Sequence, residues 1–250
     1  MIFTLAGREL RSMFLSPLAW IILAVILGLC AWFFLLYIDL FLQIQPRLAA
    51  VSNGPGVTSI IVAPLFSTAA TILLLVVPLL TMRLVSEERR AQTLSLLMSA
   101  PVSMTEIILG KFAGIMGFVV LLLALIALMP LSLLLGGSID LGLFFSGLLG
   151  LLLLVTSFCS IGLLISTLTA QPTIAAIGTF GVLLLLWILD LVNATGSEGS
   201  ELFGYLSLLH HYQQLLQGIF SSTDIIYYLL LTGCCLVLSI RRLDAERLQD

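Results

Sequence analysis

Six long apolar runs govern what this chain can become. They cover roughly residues 18–40, 60–82, 106–135, 141–168, 173–193 and 224–240. A helix needs about 20 predominantly apolar residues to cross a bilayer core. Each run must be helical, because an isolated strand cannot satisfy its backbone in lipid. Composition agrees: 60% of the chain is hydrophobic and 9% charged, against about 45–50% apolar and 25% charged in a soluble domain. The expected fold is therefore all-α, a polytopic membrane protein with residues 1–250 forming one transmembrane domain. The first run exceeds the roughly 7–15 apolar residues of a signal peptide and reads as a retained span. The formal net charge of −3 does not suggest nucleic acid as a partner.

Orientation follows from the cations. With six spans both termini share one side. That side carries Arg8, Arg11, Arg83, Arg89, Arg90, Lys111, Arg241, Arg242 and Arg247, leaving only Arg47 of the ten basic residues on the other. The positive-inside rule then places both termini in the cytoplasm. Residues 1–16 read as an interfacial helix ending at Pro17. Phe3, Ala6, Leu10, Met13 and Phe14 share one side of the wheel, and Thr4, Arg8, Arg11 and Ser12 the other, with Leu5 the exception. On the external side, Leu202–Phe220 is amphipathic but too short and polar to span. Ser221 or Ser222 is expected to cap the last span, with Asp224 complementing its helix dipole. Gly147, Gly150, Ser157, Ser160 and Gly162 in the fourth run are small enough to let helices approach closely.

The connection between the second and third spans is unusually charged. It reads SEERRAQTLSLLMSAPVSMTEIILGK from Ser86 to Lys111. Ser86 suits an N-cap, followed by Glu87 and Glu88 in the first turn. Ala91, Leu94, Leu97 and Met98 fall on one side of a wheel and Glu88, Gln92, Ser95 and Ser99 on the other, with Leu96 the misfit. The pattern predicts a short amphipathic helix over 87–99, lying on the surface within a connection that spans 86–100. Pro101 stops it. Ser103 and Glu106 then form an S-x-x-E capping box that restarts the chain, with Lys111 one turn in and placed to snorkel. On residues alone, a surface connector and a docking helix for a partner are both open.

Other chemistries are poorly served. There is no G-x-x-x-x-G-K-[ST] phosphate loop, no H-E-x-x-H and no G-x-S-x-G, so no bound cofactor or metal is expected. His210 and His211 are adjacent and point about 100° apart on a helix. Cys30, Cys159, Cys234 and Cys235 all lie in apolar runs and read as small packing residues. Asp39 and Asp190 fall near the outer span ends, leaving the membrane interior with little that would mark a proton or ion route.

The segment Ser86–Lys111 resembles the signature of ABC-2-type permeases, the membrane subunits of one class of ATP-binding-cassette transporters. Their pattern runs approximately E-x-x-x-G-T-L-x-x-L-L-x-x-P-V-x-x-x-x-[IV]-x-x-G-K. Glu87, Glu88, Thr93, Leu94, Leu97, Pro101, Val102, Ile108, Gly110 and Lys111 carry the match, while Gln92 stands where glycine is common. The C-terminal part is similar to the gliding-motility and nitrous-oxide-maturation branches at His211, Tyr212, Gly218, Asp224, Tyr227, Arg241 and Arg242. The resemblance implies a non-enzymatic permease of a bacterial cytoplasmic membrane, paired with a second permease subunit and seated on separate ATPase subunits that hold ATP and magnesium. The 86–100 segment would be the coupling helix. Its polar face and Arg89 or Arg90 would meet the ATPase, and Leu94, Leu97 and Met98 would anchor it. Two rival readings are a membrane scaffold worked by an ATPase without transport, and an intramembrane enzyme using His210, His211 and Asp224.

Overall fold

The computed structural model describes residues 2–48, 56–92, 103–135, 139–193 and 207–247. Among them the chain is helical apart from short turns and connections, with no strand. Six helices are long and apolar enough to cross a membrane. They are α2 (Pro17–Leu48), α3 (Ala63–Thr81), α5 (Met104–Leu131), α6 (Leu141–Leu168), α7 (Pro172–Asn193) and α9 (Ser222–Arg247). Three shorter helices flank them: α1 (Ile2–Leu15), α4 (Ser86–Arg90) and α8 (Leu208–Leu216). A π-turn, Thr58–Val62, leads into α3 without a break. Pro130 falls one residue before the end of α5, which passes into a 3-10 turn, Ser132–Leu135.

α6 is the central helix, because its sequence lets neighbours come close on several sides. Gly147 faces Phe66 of α3 and Leu216 of α8, and Gly150 faces Leu215 and Tyr212 of α8. Ser157 lies 3.3 Å from the Thr232 hydroxyl of α9. Gly162 is the tightest: a Cβ there would overlap the Thr81 hydroxyl of α3. Gly162→Val should therefore wedge α3 from α6. Overpacking of this kind costs about 1–3 kcal/mol, and a fall in the unfolding midpoint in detergent would register it; an unchanged midpoint would mean the contact is looser than this. The outer helices turn apolar faces outward, as lipid-facing surfaces must: Trp20, Val25 and Trp32 on α2, Ile177 and Leu185 on α7, Leu229 and Leu230 on α9 are all exposed.

α1 packs on α5 more extensively than any other helix pair in the fold. A glycine stripe on α5 makes this possible. A Cβ on Gly110 would meet Leu5 at 2.7 Å, one on Gly114 would meet Glu9 at 2.7 Å, and Gly117 faces Leu10 at 3.4 Å. Phe14 then packs at a tilt against Phe118, ring centroids 5.7 Å apart. Leu5, the exception on the wheel, is thus a contact residue, whereas Phe3 on the apolar side is 90% exposed. Wheel position gives only the average direction of a face. The glycines of the partner helix select which residues seat.

Four helix starts, those of α5, α6, α8 and α9, are set by local capping. Asp140 accepts from the Gly142 and Leu143 amides to start α6, Ser207 accepts from the His210 amide to start α8, and Ser221 accepts from the Thr223 amide at the start of α9. Ser103 and Glu106 form a reciprocal capping box at the start of α5.

Candidate functional site

The densest charge cluster lies at the basic end, around the five residues of α4. The expected helix over 87–99 is not continuous. It starts at Ser86, ends at Arg90, and Gln92 adopts a φ of 57°. Left-handed backbone costs a non-glycine residue about 1–2 kcal/mol, and a glycine at this position would avoid that cost. Thr93, Leu94, Leu97 and Pro101 lie outside the described residues. Nor is Ser86 the N-cap. Its hydroxyl turns back to the Met82 carbonyl. The Ser166 hydroxyl near the end of α6 takes the capping role, accepting from the Val85 and Ser86 amides at 3.1 Å each and donating to the Met82 carbonyl at 3.2 Å.

The four charged side chains of α4 divide into two pairs. Glu88 and Arg89 turn inward. Glu88 Oε1 accepts from Lys111 Nζ at 2.7 Å, and Arg8 stands 3.9 Å away. Arg89 Nη2 donates to Glu246 Oε2 at 2.7 Å and to the Thr167 carbonyl at 2.8 Å. That carbonyl belongs to the last turn of α6, where a cation complements the helix dipole. Glu246 is also held by Arg242, 3.2 Å away along α9. Glu87 and Arg90, three residues apart and so on one side of the helix, are exposed. Among the described residues, neither side chain has an ion-pair or hydrogen-bond partner.

Lys111 does not snorkel. Its side chain is 4% exposed and its ammonium lies between Glu88 and Glu9, with Glu9 Oε1 at 2.6 Å. The glycines one residue before and three residues after it draw α1 so close that a carboxylate is delivered to the lysine, and reaching away to water would leave that carboxylate unpaired. Two ties therefore fasten α4. Lys111 links it to α1 and α5, and Arg89 links it to α6 and α9. Glu9, Glu246, Ser166 and Gly114 were not anticipated from the sequence. The one available signal was the Gly110, Gly114, Gly117 spacing, which marks a face for close helix approach.

At the far end, α8 is buried on α6, α7 and α9. The Leu208 carbonyl accepts from the Tyr228 hydroxyl at 2.7 Å, and the Leu215 carbonyl accepts from Ser146 at 2.7 Å. Tyr228 lies more than a turn inside α9, so α8 rises from within the bundle toward the turn at Gly218, whose φ is 79°. Asp224 does more than complement a dipole. Its Oδ1 is 2.6 Å from His211 Nδ1, with both side chains at most 5% exposed. The Tyr227 ring stacks on the imidazole at 4.3 Å. Tyr212 is fully buried. His210 does not join them. It lies instead beside the Gln214 amide at 3.2 Å.

The described residues thus form a six-span bundle whose charged inter-span connection is fastened to four helices and leaves two charged side chains exposed at one end. The family model described as "ABC-2 family transporter protein" matches residues 3–247, and the chain belongs to that family. No curated protein matches it. It is thus a multi-pass ABC-2 permease, the membrane subunit of such a transporter and not itself its ATPase; the family generally works with an ATPase partner.

Proposed function

We propose that this chain couples ATP hydrolysis by a separate cytosolic ATPase to export of a substrate across a bacterial cytoplasmic membrane, with a second permease subunit completing the translocator. ATP and magnesium reside in the ATPase, and this chain binds no cofactor. Both termini and α4 face the cytoplasm, in keeping with the nine cations at that end.

The observation that carries this reading is the division of α4. Glu88 and Arg89 are tied into α1, α5, α6 and α9, while Glu87 and Arg90 stand exposed without partners among the described residues. A push on the outer side of α4 is thereby delivered to four helices at once. The contact with the ATPase falls to Arg90 and Gln92, not to Glu88 or Arg89. The enzyme reading loses ground, since His211 and Asp224 are closed to substrate and His210 turns elsewhere.

Reversing the exposed charge at Arg90 (Arg90→Glu) should reduce the ATPase retained on the purified chain in mild detergent by about tenfold or more, the loss expected when a rim charge becomes like-charged with its partner. The protein itself should fold normally. Retention equal to the unsubstituted chain would overturn the assignment of this surface.

A further inference from the structure

A second polar site adjoins the α4 cluster and shares Glu9 with it, at the elbow where α1 passes into α2. A cavity of about 310 Å³ opens there, between the elbow and the end of α3. This is at the small end of the roughly 300–1,000 Å³ usual for ligand pockets. Its polar lining is Glu9, Ser12, Ser16, Arg83 and Glu87, and the remainder is apolar, supplied by residues of α1, α2 and α3 such as Leu79.

Three observations identify what fits it. First, its level is that of lipid headgroups. Trp20, next to the lining residue Ala19, is 57% exposed while its indole N–H donates to the Phe14 carbonyl at 2.8 Å. An outward tryptophan anchored in this way marks the membrane–water boundary. Second, an apolar track leads from the cavity toward the bilayer interior. Leu79 and Leu75, one turn apart on α3, are 45% and 54% exposed. Third, the lining carries both signs of charge in an unneutralised arrangement. Arg83 and Glu87 are exposed, and neither side chain has a partner among the described residues. Glu9 adds a second carboxylate, with one oxygen already on Lys111.

We propose that this cavity holds one aminophospholipid of the adjoining leaflet by its headgroup. Arg83 pairs with the phosphodiester, and Ser12 and Ser16 supply hydroxyl donors. Glu87, with Glu9 behind it, takes the ammonium. One acyl chain lies along Leu79 and Leu75. The charges select phosphatidylethanolamine over phosphatidylglycerol, because an anionic headgroup without an amine would leave Glu87 uncompensated, Glu9 being already paired with Lys111. The lipid would brace the α1–α2 elbow against α3 and the start of α4.

The test is native mass spectrometry of the full chain, delipidated in mild detergent and titrated with dioleoyl-phosphatidylethanolamine or dioleoyl-phosphatidylglycerol. One phosphatidylethanolamine should be retained per chain, with a preference of about fivefold, the discrimination one charge supplies at a membrane surface. Arg83→Ala should lose both lipids, and Arg83→Lys should keep phosphatidylethanolamine, which separates a lost phosphate contact from a misfolded chain. Glu87→Gln should bring the two lipids to equal retention. Soluble glycerophosphoethanolamine should fail to displace the lipid. Equal retention of both lipids by the unsubstituted chain would overturn the proposal, as would indifference to Arg83→Ala. Displacement by the soluble headgroup would do the same, by assigning the cavity to a free phosphodiester. Expulsion of the lipid on adding the ATPase partner would assign it to that protein.

Discussion

Lys111→Met should destabilise the fold by about 3 kcal/mol and weaken the hold of the chain on α4. The lysine is 4% exposed and its ammonium is shared by Glu9 and Glu88 at 2.6 and 2.7 Å. Methionine fills much of the same volume, so the loss is chiefly electrostatic. Two carboxylates would be left facing each other across the seam between α1 and α4. Breaking a buried pair by removing one partner costs about 3–5 kcal/mol. The lower end applies here, because Glu9 and Glu88 keep 16% and 22% exposure and water can reach them. Chemical unfolding in detergent micelles would measure it. The triple variant Lys111→Met, Glu9→Gln, Glu88→Gln should recover most of the loss, since it removes the repulsion along with the attraction. If the single substitution unfolds at the same denaturant concentration as the parent, the triad is not formed in the membrane protein.

His211→Phe should cost about 4 kcal/mol. Phenylalanine keeps the stack on Tyr227, whose ring lies 4.3 Å from the imidazole, and so isolates the effect of the polar contact. Asp224 would remain, 2% exposed. Its Oδ1 would lose His211, and its Oδ2 has no partner among the described residues. A buried carboxylate without a partner is costly in such surroundings and draws water into the bundle. Loss of the tie would also release α8 from α9, and protection of the α8 amides against hydrogen exchange should fall with it. The double variant His211→Phe, Asp224→Leu should regain most of the stability. A full-cost double variant would show instead that the imidazole matters through packing.

These two sites show where reading the chain in order succeeds. Span number and capping follow from local rules. Each apolar run must close its own backbone hydrogen bonds, and a serine three residues before a glutamate caps itself wherever the helix begins. Ser103 with Glu106, and Asp140 ahead of α6, need no knowledge of the rest of the molecule. The six spans are legible for the same reason. The start of α4 is different. Ser86 satisfies the local pattern of a cap, yet its helix is capped by Ser166, 80 positions away. The local rule was overridden because the end of α6 already stood there with a better-placed hydroxyl.

Charge direction is the clearest case. Glu87, Glu88, Arg89 and Arg90 are consecutive, and periodicity assigns each an angle but no partner. Glu88 and Arg89 face inward only because Lys111 and Glu246 wait at those angles, and Lys111 stays buried only because Glu9 comes to it. Glu9 and Lys111 are 102 positions apart and Arg89 and Glu246 are 157 apart. The amino-acid order alone determined that this is a six-span helical membrane protein with one charged end. The side chains that fasten α4 and those that remain free for a partner were decided by tertiary packing, because an ion pair is selected by distance in space and the chain encodes that distance only through the glycine contacts that set how closely its helices approach.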